Sequence, residues 1–98
     1  MKKLIVVLLF VPFISFGQVS ALDYFNRGIE KFGSGDYYGA IADFTEYGKF
    51  MPNDGEAYRF KGFCKGIIGD MKGACEDWRK AVSLGDSDSA VQLEENGN

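Results

Sequence analysis

Residues 69–81 read GDMKGACEDWRKA, and residues 35–47, 34 places earlier, read GDYYGAIADFTEY. Both stretches contain Gly-Asp-x-x-Gly-Ala-x-x-Asp followed by a large aromatic ring. A fixed period of this length indicates a stacked array of similar structural units. When residues 21–54 are laid over residues 55–88 without a gap, nine pairs are identical: Tyr24/Tyr58, Gly28/Gly62, Lys31/Lys65, Gly35/Gly69, Asp36/Asp70, Gly39/Gly73, Ala40/Ala74, Asp43/Asp77 and Asp54/Asp88.

Local signals divide each repeat into two helices. Ser20 and Asp23 have the spacing of a capping box at the start of a helix over about 21–32. Glycine-aspartate pairs at 35–36 and 69–70 each combine a residue that tolerates positive φ with a helix N-cap. Pro52 ends the second helix, because the residue before a proline avoids the α region. Third and fourth helices over about 55–68 and 71–84 follow, and Gly85 caps the fourth.

These signals predict an all-α chain made of two helical hairpins, 21–54 and 55–88, and a short C-terminal capping helix over 89–95. Within each hairpin, Gly28 with Ala40 and Gly62 with Ala74 are expected where the helices cross, since small side chains let backbones approach closely. Phe44 and Trp78 are expected to fill the space against the following helix.

The first 17 residues do not belong to the repeats. Lys2 and Lys3 precede an uncharged apolar run from Leu4 to Phe16, and small residues follow it, as in a secretory signal peptide. Cleavage after Gly17 or after Ala21 both fit, and an uncleaved anchor is the alternative. Cleavage leaves one domain, 18–98, with nine basic and 14 acidic residues, so the net charge changes from −3 to −5. We expect no membrane insertion after cleavage and a location in the bacterial periplasm or cell envelope, or outside the cell.

Composition argues against several function classes. The chain has no histidine, which removes histidine-ligated metals, histidine general bases and serine–histidine or cysteine–histidine nucleophile pairs. An acidic chain without basic runs interleaved with aromatic residues argues against a nucleic-acid partner. We therefore expect no catalytic residues, no metal and no cofactor.

The repeat resembles the tetratricopeptide repeat. The Trp, Leu, Gly and Tyr positions of that family's first helix fall on Tyr24, Arg27, Gly28 and Lys31, and again on Tyr58, Lys61, Gly62 and Lys65. The family's Ala-x₃-Phe falls on Ala40 and Phe44, then on Ala74 and Trp78, and its closing Pro falls on Pro52. Basic residues replace its Leu and Tyr, and residues 75–90, CEDWRKAVSLGDSDSA, also resemble the related Sel-like repeat.

The resemblance implies a fragment of an α-solenoid that works as a protein-binding scaffold, with an unidentified envelope protein or peptide as partner. In the family, the first helix of each repeat lines the concave face. By that likeness the partner-binding residues are Leu22, Phe25, Ile29, Phe32, Arg59, Phe63 and Ile67. The first four also form an apolar stripe at helical spacing. The alternatives are that the N-terminal segment of the same chain covers this face, or that second copies cover it in a structural homo-oligomer.

The remaining candidates are cysteines and carboxylates. Cys64 and Cys75 are equally far from the turn at 69–70, so an antiparallel hairpin places them at one height. A disulfide is favoured in an exported chain, and two buried free thiols are the alternative. Asp43 and Asp77 recur beside the packing aromatics and suggest paired carboxylates, but solvated or salt-bridged helix faces, with Arg27 and Lys61 as candidate partners, are the favoured interpretation. Asp88 is interpreted as a helix cap.

Overall fold

A computed structural model describes residues 20–97 of the chain, and the predicted signal peptide over residues 1–17 lies outside them. The five α-helices are α1 (Ala21–Ser34), α2 (Tyr37–Phe50), α3 (Gly55–Ile67), α4 (Met71–Ser83) and α5 (Asp88–Asn96). No strand occurs among these residues. The predicted all-α fold is confirmed: α1–α2 and α3–α4 are helical hairpins, and α5 packs on α4. None of these helices has the length and apolar character that crossing a membrane requires.

The two hairpin joints are built identically. Gly35 has φ +86° and Gly69 has φ +96°, which is the left-handed region that glycine adopts without penalty. The carboxylates of Asp36 and Asp70 each accept a hydrogen bond of 2.9 Å from the backbone N–H three residues later, as predicted for N-caps. The predicted capping box of Ser20 and Asp23 at the start of α1 is also confirmed.

The joints explain why glycine stands three residues after each aspartate. A Cβ built at Gly39 would overlap with the carboxylate of Asp36, and one at Gly73 would overlap with that of Asp70. The absence of a side chain at this position therefore leaves room for the cap. The Gly-Asp-x-x-Gly part of the repeat is a complete helix–turn–helix joint.

A third joint of the same kind precedes α5, outside the 34-residue register. Gly85 has φ +97°, and the carboxylate of Asp86 accepts hydrogen bonds from the backbone N–H and the hydroxyl of Ser89. The prediction that Asp88 caps the last helix was wrong, since Asp86 does so. Asp88 is instead bound by Arg59.

In each hairpin a glycine of the first helix lies under a large ring of the second. A Cβ at Gly28 would come within 2.8 Å of Cε1 of Phe44, and one at Gly62 would overlap with the indole of Trp78. The close approach predicted at these glycines is therefore present, although the partner is the ring rather than Ala40 or Ala74. Phe44 and Trp78 are 1% and 3% exposed.

Phe44 also joins the two hairpins, as predicted. Its ring stacks on Phe60 of α3, with centroids 5.6 Å apart and planes 12° apart. The buried residues of this core are Ala40, Phe44 and Tyr47 of α2 with Ala57 and Cys64 of α3. A second, smaller core contains Ala74, Cys75 and Trp78 of α4, with Phe63 and Leu93 packed against it.

The predicted Cys64–Cys75 disulfide was wrong, because both residues are buried free thiols. Cys64 packs in the core shared with α2, whereas Cys75 belongs to the core beside α5, with its Sγ 3.7 Å from the carbonyl oxygen of Asn96. Equal distance from a turn places two residues at one height, but these side chains face different neighbouring helices. Burial raises the pKa of the Cys64 thiol to about 11.

One face of α3 is apolar and packs on the first hairpin, whereas the equivalent face of α1 is polar and exposed. The face of α3 that packs on the first hairpin carries Ala57, Phe60 and Cys64. Their counterparts 34 residues earlier are the exposed residues Asp23, Asn26 and Glu30. At the other end, α5 exposes Val91 but otherwise polar residues: Asp88, Glu94, Glu95 and Asn96. Polar outer faces are typical of the units that terminate a helical array.

Candidate partner-binding surface

The seven residues predicted to contact a partner lie on α1 and α3, and their exposure differs widely. Leu22, in the first turn of α1, is 63% exposed, and Ile67, at the end of α3, is 53% exposed. The other five are partly buried: Phe25, Ile29, Phe32, Arg59 and Phe63. The short connections from α1 to α2 and from α2 to α3 make α1 and α3 run in the same direction, so Leu22 and Ile67 lie at opposite ends of this surface. We call the seven residues the first-helix face.

Phe25 and Phe32 are held by rings of their own chain. The Phe25 centroid lies 5.0 Å from that of Tyr47 and 5.6 Å from that of Phe44. Phe32 lies 5.9 Å from both Tyr37 and Phe60, in edge-on contacts. These aromatic contacts fix the two rings in place. They form the floor of the first-helix face rather than side chains that stand free in solvent.

Ile29 and Phe63 complete the floor. Ile29 packs against the first core, and Phe63 contacts Trp78 edge-on with centroids 5.8 Å apart. The first-helix face is therefore a largely apolar surface whose rings remain partly accessible. Such a surface suits an apolar segment laid across it, because little rotational freedom is left to lose on binding.

Arg59 forms salt bridges with three carboxylates of its own chain. Its guanidinium lies 3.1 Å from Glu56, 3.4 Å from Asp86 and 2.9 Å from Asp88. The group also lies over the ring of Phe60, 5.2 Å from its centroid. Arg59 therefore ties α3 to the segment that begins α5, and the cation is already neutralised where a partner would meet it.

Asp43 and Asp77 are salt-bridged, as interpreted, but one predicted partner was wrong. Asp43 pairs with Arg27 at 3.2 Å and with Lys31 at 2.8 Å. Asp77 pairs at 2.8 Å with Lys65, not with Lys61. Burial acts to raise the pKa of Asp43, but Lys31 and Arg27 outweigh it and hold the pKa below its usual value. These carboxylates brace the hairpins.

Phe60 is the residue of this surface that the sequence reasoning missed. It contacts Phe25, Phe32 and Phe44 and so links both helices of the first hairpin to α3. A signal was present in the sequence, because Ala57, Phe60 and Cys64 are spaced three and four residues apart and share one helix face. The 34-residue comparison hid it, since the counterpart of Phe60 is Asn26.

No protein-family model matches the sequence, and no curated protein or solved structure matches the chain. The tetratricopeptide assignment therefore stays a prediction that rests on the residues quoted above.

Proposed function

We propose that this chain is an exported, tetratricopeptide-like interaction module of the bacterial cell envelope, and that it binds an apolar peptide or amphipathic helix of another protein. The partner contacts the first-helix face. Leu22 and Ile67 supply exposed apolar contacts at its two ends, and the edges of Phe25, Phe32 and Phe63 supply the area between them. Binding in this mode uses side chains spaced along one apolar stripe of the partner.

The observation that carries this proposal is the contrast between the sides and the ends of the helical array. The outer surface of α1 presents Asp23, Asn26 and Glu30, and α5 ends on Glu94 and Glu95. Neither end favours a stack of identical copies. Large apolar side chains are exposed at several places in the described chain, and two of them, Leu22 and Ile67, lie at the ends of the first-helix face. Apolar surface rimmed by polar residues is typical of a protein–protein contact.

Photo-crosslinking in cells tests the proposal. A photoreactive residue is placed at Leu22 or Ile67, and the matched control carries it at Tyr38, which is exposed on α2. We expect one discrete adduct with a different envelope protein from both test positions and none from Tyr38. The adduct from Leu22 should disappear when Ile67→Glu is added and persist when Tyr38→Glu is added.

Two other outcomes would contradict it. An adduct of twice the chain's own mass would assign the first-helix face to self-assembly, the alternative function. No adduct from either test position would remove the first-helix face as a binding surface. Export is tested separately by the mass of the chain recovered from the periplasmic fraction, where a start at residue 18 or residue 22 is expected.

A further inference from the structure

A groove of about 190 Å³ lies between α2 and α3, away from the first-helix face. Its lining residues are Phe44, Thr45, Gly48 and Lys49 of α2 with Ala57, Tyr58 and Lys61 of α3. Tyr58 and Lys61 are three residues apart and share one side of α3. At 100° per residue, Arg59, Phe63 and Ile67 fall on the opposite side of that helix. The groove is thus independent of the proposed partner surface.

Gly48 leaves space in the groove, and no neighbouring atom requires a glycine at this position. It lies inside α2, where glycine weakens a helix relative to alanine. A Cβ built at Gly48 would meet no atom within 4 Å, unlike one at Gly28 or Gly62. Its counterpart in the second hairpin is Val82. A Cβ at position 48 would therefore stand in open space at the lining of the groove.

Lys61 brings to this groove a cation that no carboxylate among the described residues pairs with directly. Its counterpart Arg27 pairs with Asp43, but Asp77 is bound by Lys65 instead. Among residues 20–97, Lys61 forms no ion pair within 4.0 Å. Its ammonium lies 5.0 Å from the centroid of the Tyr58 ring. Burial lowers the pKa of the Lys61 ammonium, because the charged form loses water there.

The chemistry of the lining selects a small monoanion with an apolar body. Phe44 and Ala57 lie beneath the groove but are only 1% and 2% exposed, so the partly buried ring of Tyr58 is the larger apolar contact that the lining offers. Lys49, which also lines the groove, is already paired with Glu46 at 2.7 Å, so within residues 20–97 Lys61 is the cation of the lining that has no ion-pair partner within 4.0 Å. One cation matches a carboxylate better than a phosphate dianion, which needs several donors. An apolar cavity of about 150 Å³ is known to hold benzene, so a body of that size fits.

We propose that the α2–α3 groove binds a small apolar carboxylate, with the Lys61 ammonium on the carboxylate and the body against the Tyr58 ring, in the space that Gly48 leaves above Phe44 and Ala57. The ligand is a free acid or the last residue of a peptide with its terminal carboxylate. Both sources present the same chemistry to the groove.

NMR titration of the purified chain, in the form that cells yield, tests this with two probe pairs. The first pair is phenylacetate and its uncharged analogue phenylacetamide. The second is an N-acetylated tetrapeptide ending in Phe with a free carboxylate and the same peptide as its amide. We expect saturable shifts at the amides of Gly48, Lys49 and Lys61 for at least one acid, and affinity at least tenfold lower for its amide. The acid that binds identifies the source.

Two variants sharpen the test. Lys61→Met keeps the apolar stem and should lower the affinity for the acid by tenfold or more. Gly48→Val should abolish binding by filling the groove. Lys72→Met, at an exposed lysine of α4, and Gly33→Ala, at another unpacked helix glycine, should leave the affinity unchanged. The proposal is overturned if neither acid gives saturable shifts at the groove, if acid and amide bind equally, or if a folded Lys61→Met protein binds like the wild type.

Discussion

The two hairpins share their joints and differ in what holds them to their neighbours. Both turn on a glycine-aspartate pair and place a ring over a glycine. The first hairpin is joined to the next helix by Phe44 on Phe60 and by the Tyr47 hydroxyl on Asp54. The second is joined to α5 by the salt bridges of Arg59 with Asp86 and Asp88 and by Leu93, which packs against the core around Trp78. The residues of the joints recur at the 34-residue spacing, whereas Tyr47, Arg59 and Phe60, which connect successive units, do not.

The largest change in the free energy of unfolding is expected for substitutions at Gly28 and Gly62, the glycines beneath the rings of Phe44 and Trp78. Gly62→Ala should destabilise the chain by about 3 kcal/mol and Gly28→Ala by about 1–2 kcal/mol, since overpacking a core forces buried rings to move. The order follows from geometry, because the added Cβ overlaps with the Trp78 indole but only approaches Phe44 to 2.8 Å. Urea denaturation followed by circular dichroism measures both free energies of unfolding.

Gly33→Ala is the matched control for this pair. A Cβ there meets nothing within 4 Å, so the change should be neutral or stabilise α1 by up to about 1 kcal/mol. If Gly62→Ala were as stable as Gly33→Ala, the close approach of α3 and α4 at Trp78 would be wrong.

The next largest loss of stability is expected at the buried aspartates. Among the described residues, Asp43 pairs with two cations within 4.0 Å and Asp77 pairs with one, so replacing Asp43 should cost more. Asp43→Asn should cost about 1–2 kcal/mol and Asp77→Asn about 1 kcal/mol. These values are below those for fully buried pairs, because Arg27 and Lys31 remain substantially exposed and screened by water.

The contribution of Asp43 to stability should also depend on pH. Since Lys31 and Arg27 hold the pKa of Asp43 below its usual value in the fold, its contribution is present above the unfolded pKa of about 4 and is lost as the pH falls through the folded pKa. The stability difference between wild type and Asp43→Asn should therefore shrink on acidification from pH 7 to pH 3. Parallel stability curves for the two proteins would show that this pairing contributes nothing.

A smaller effect is expected at the N-cap, where two residues must be changed together. Asp36→Ala should cost about 1 kcal/mol through the lost cap, and Gly39→Ala should cost a similar amount by displacing the Asp36 carboxylate. In the Asp36→Ala background the same Gly39→Ala change should become favourable, because alanine is the better helix residue. Additive costs in the double variant, measured by urea denaturation, would mean that Gly39 has no role in the cap.

The sequence predicted the joints and the helices because their signals are local. Ser20, Asp36, Asp70 and Gly85 act within three or four residues of themselves. The choice between neighbouring helices is not local, and there the predictions failed. Cys64 and Cys75 share a height but face different cores, and the spacing of Lys61 and Lys65 did not reveal which of them reaches Asp77. A repeat identifies equivalent positions, but it does not state which side chain an equivalent position contacts.

The same limit applies to the first-helix face. Its apolar spacing was visible in the sequence at Leu22, Phe25, Ile29 and Phe32. The sequence did not show that Phe60 of the next hairpin lies against Phe25 and Phe32 and covers part of that stripe. Of the seven predicted contact residues, the two that are exposed are therefore those at the ends of the face, Leu22 and Ile67.

The last prediction concerns the two connections between successive units, whose contributions to stability should depend differently on pH. Burial and the hydrogen bond to Asp54 raise the pKa of Tyr47 to about 12, so the stability that this group contributes is present below pH of about 10 and is lost as the pH rises through 12. Arg59 keeps its charge throughout this range. Tyr47→Phe should cost about 1 kcal/mol at pH 7, and its difference from wild type should diminish between pH 10 and pH 12. Arg59→Met, the matched change at the other connection, should differ from wild type by the same amount at both pH values. A Tyr47→Phe difference that stayed constant with pH would remove the Tyr47–Asp54 hydrogen bond as the polar link between the hairpins and leave Phe44 on Phe60 as the contact that joins them.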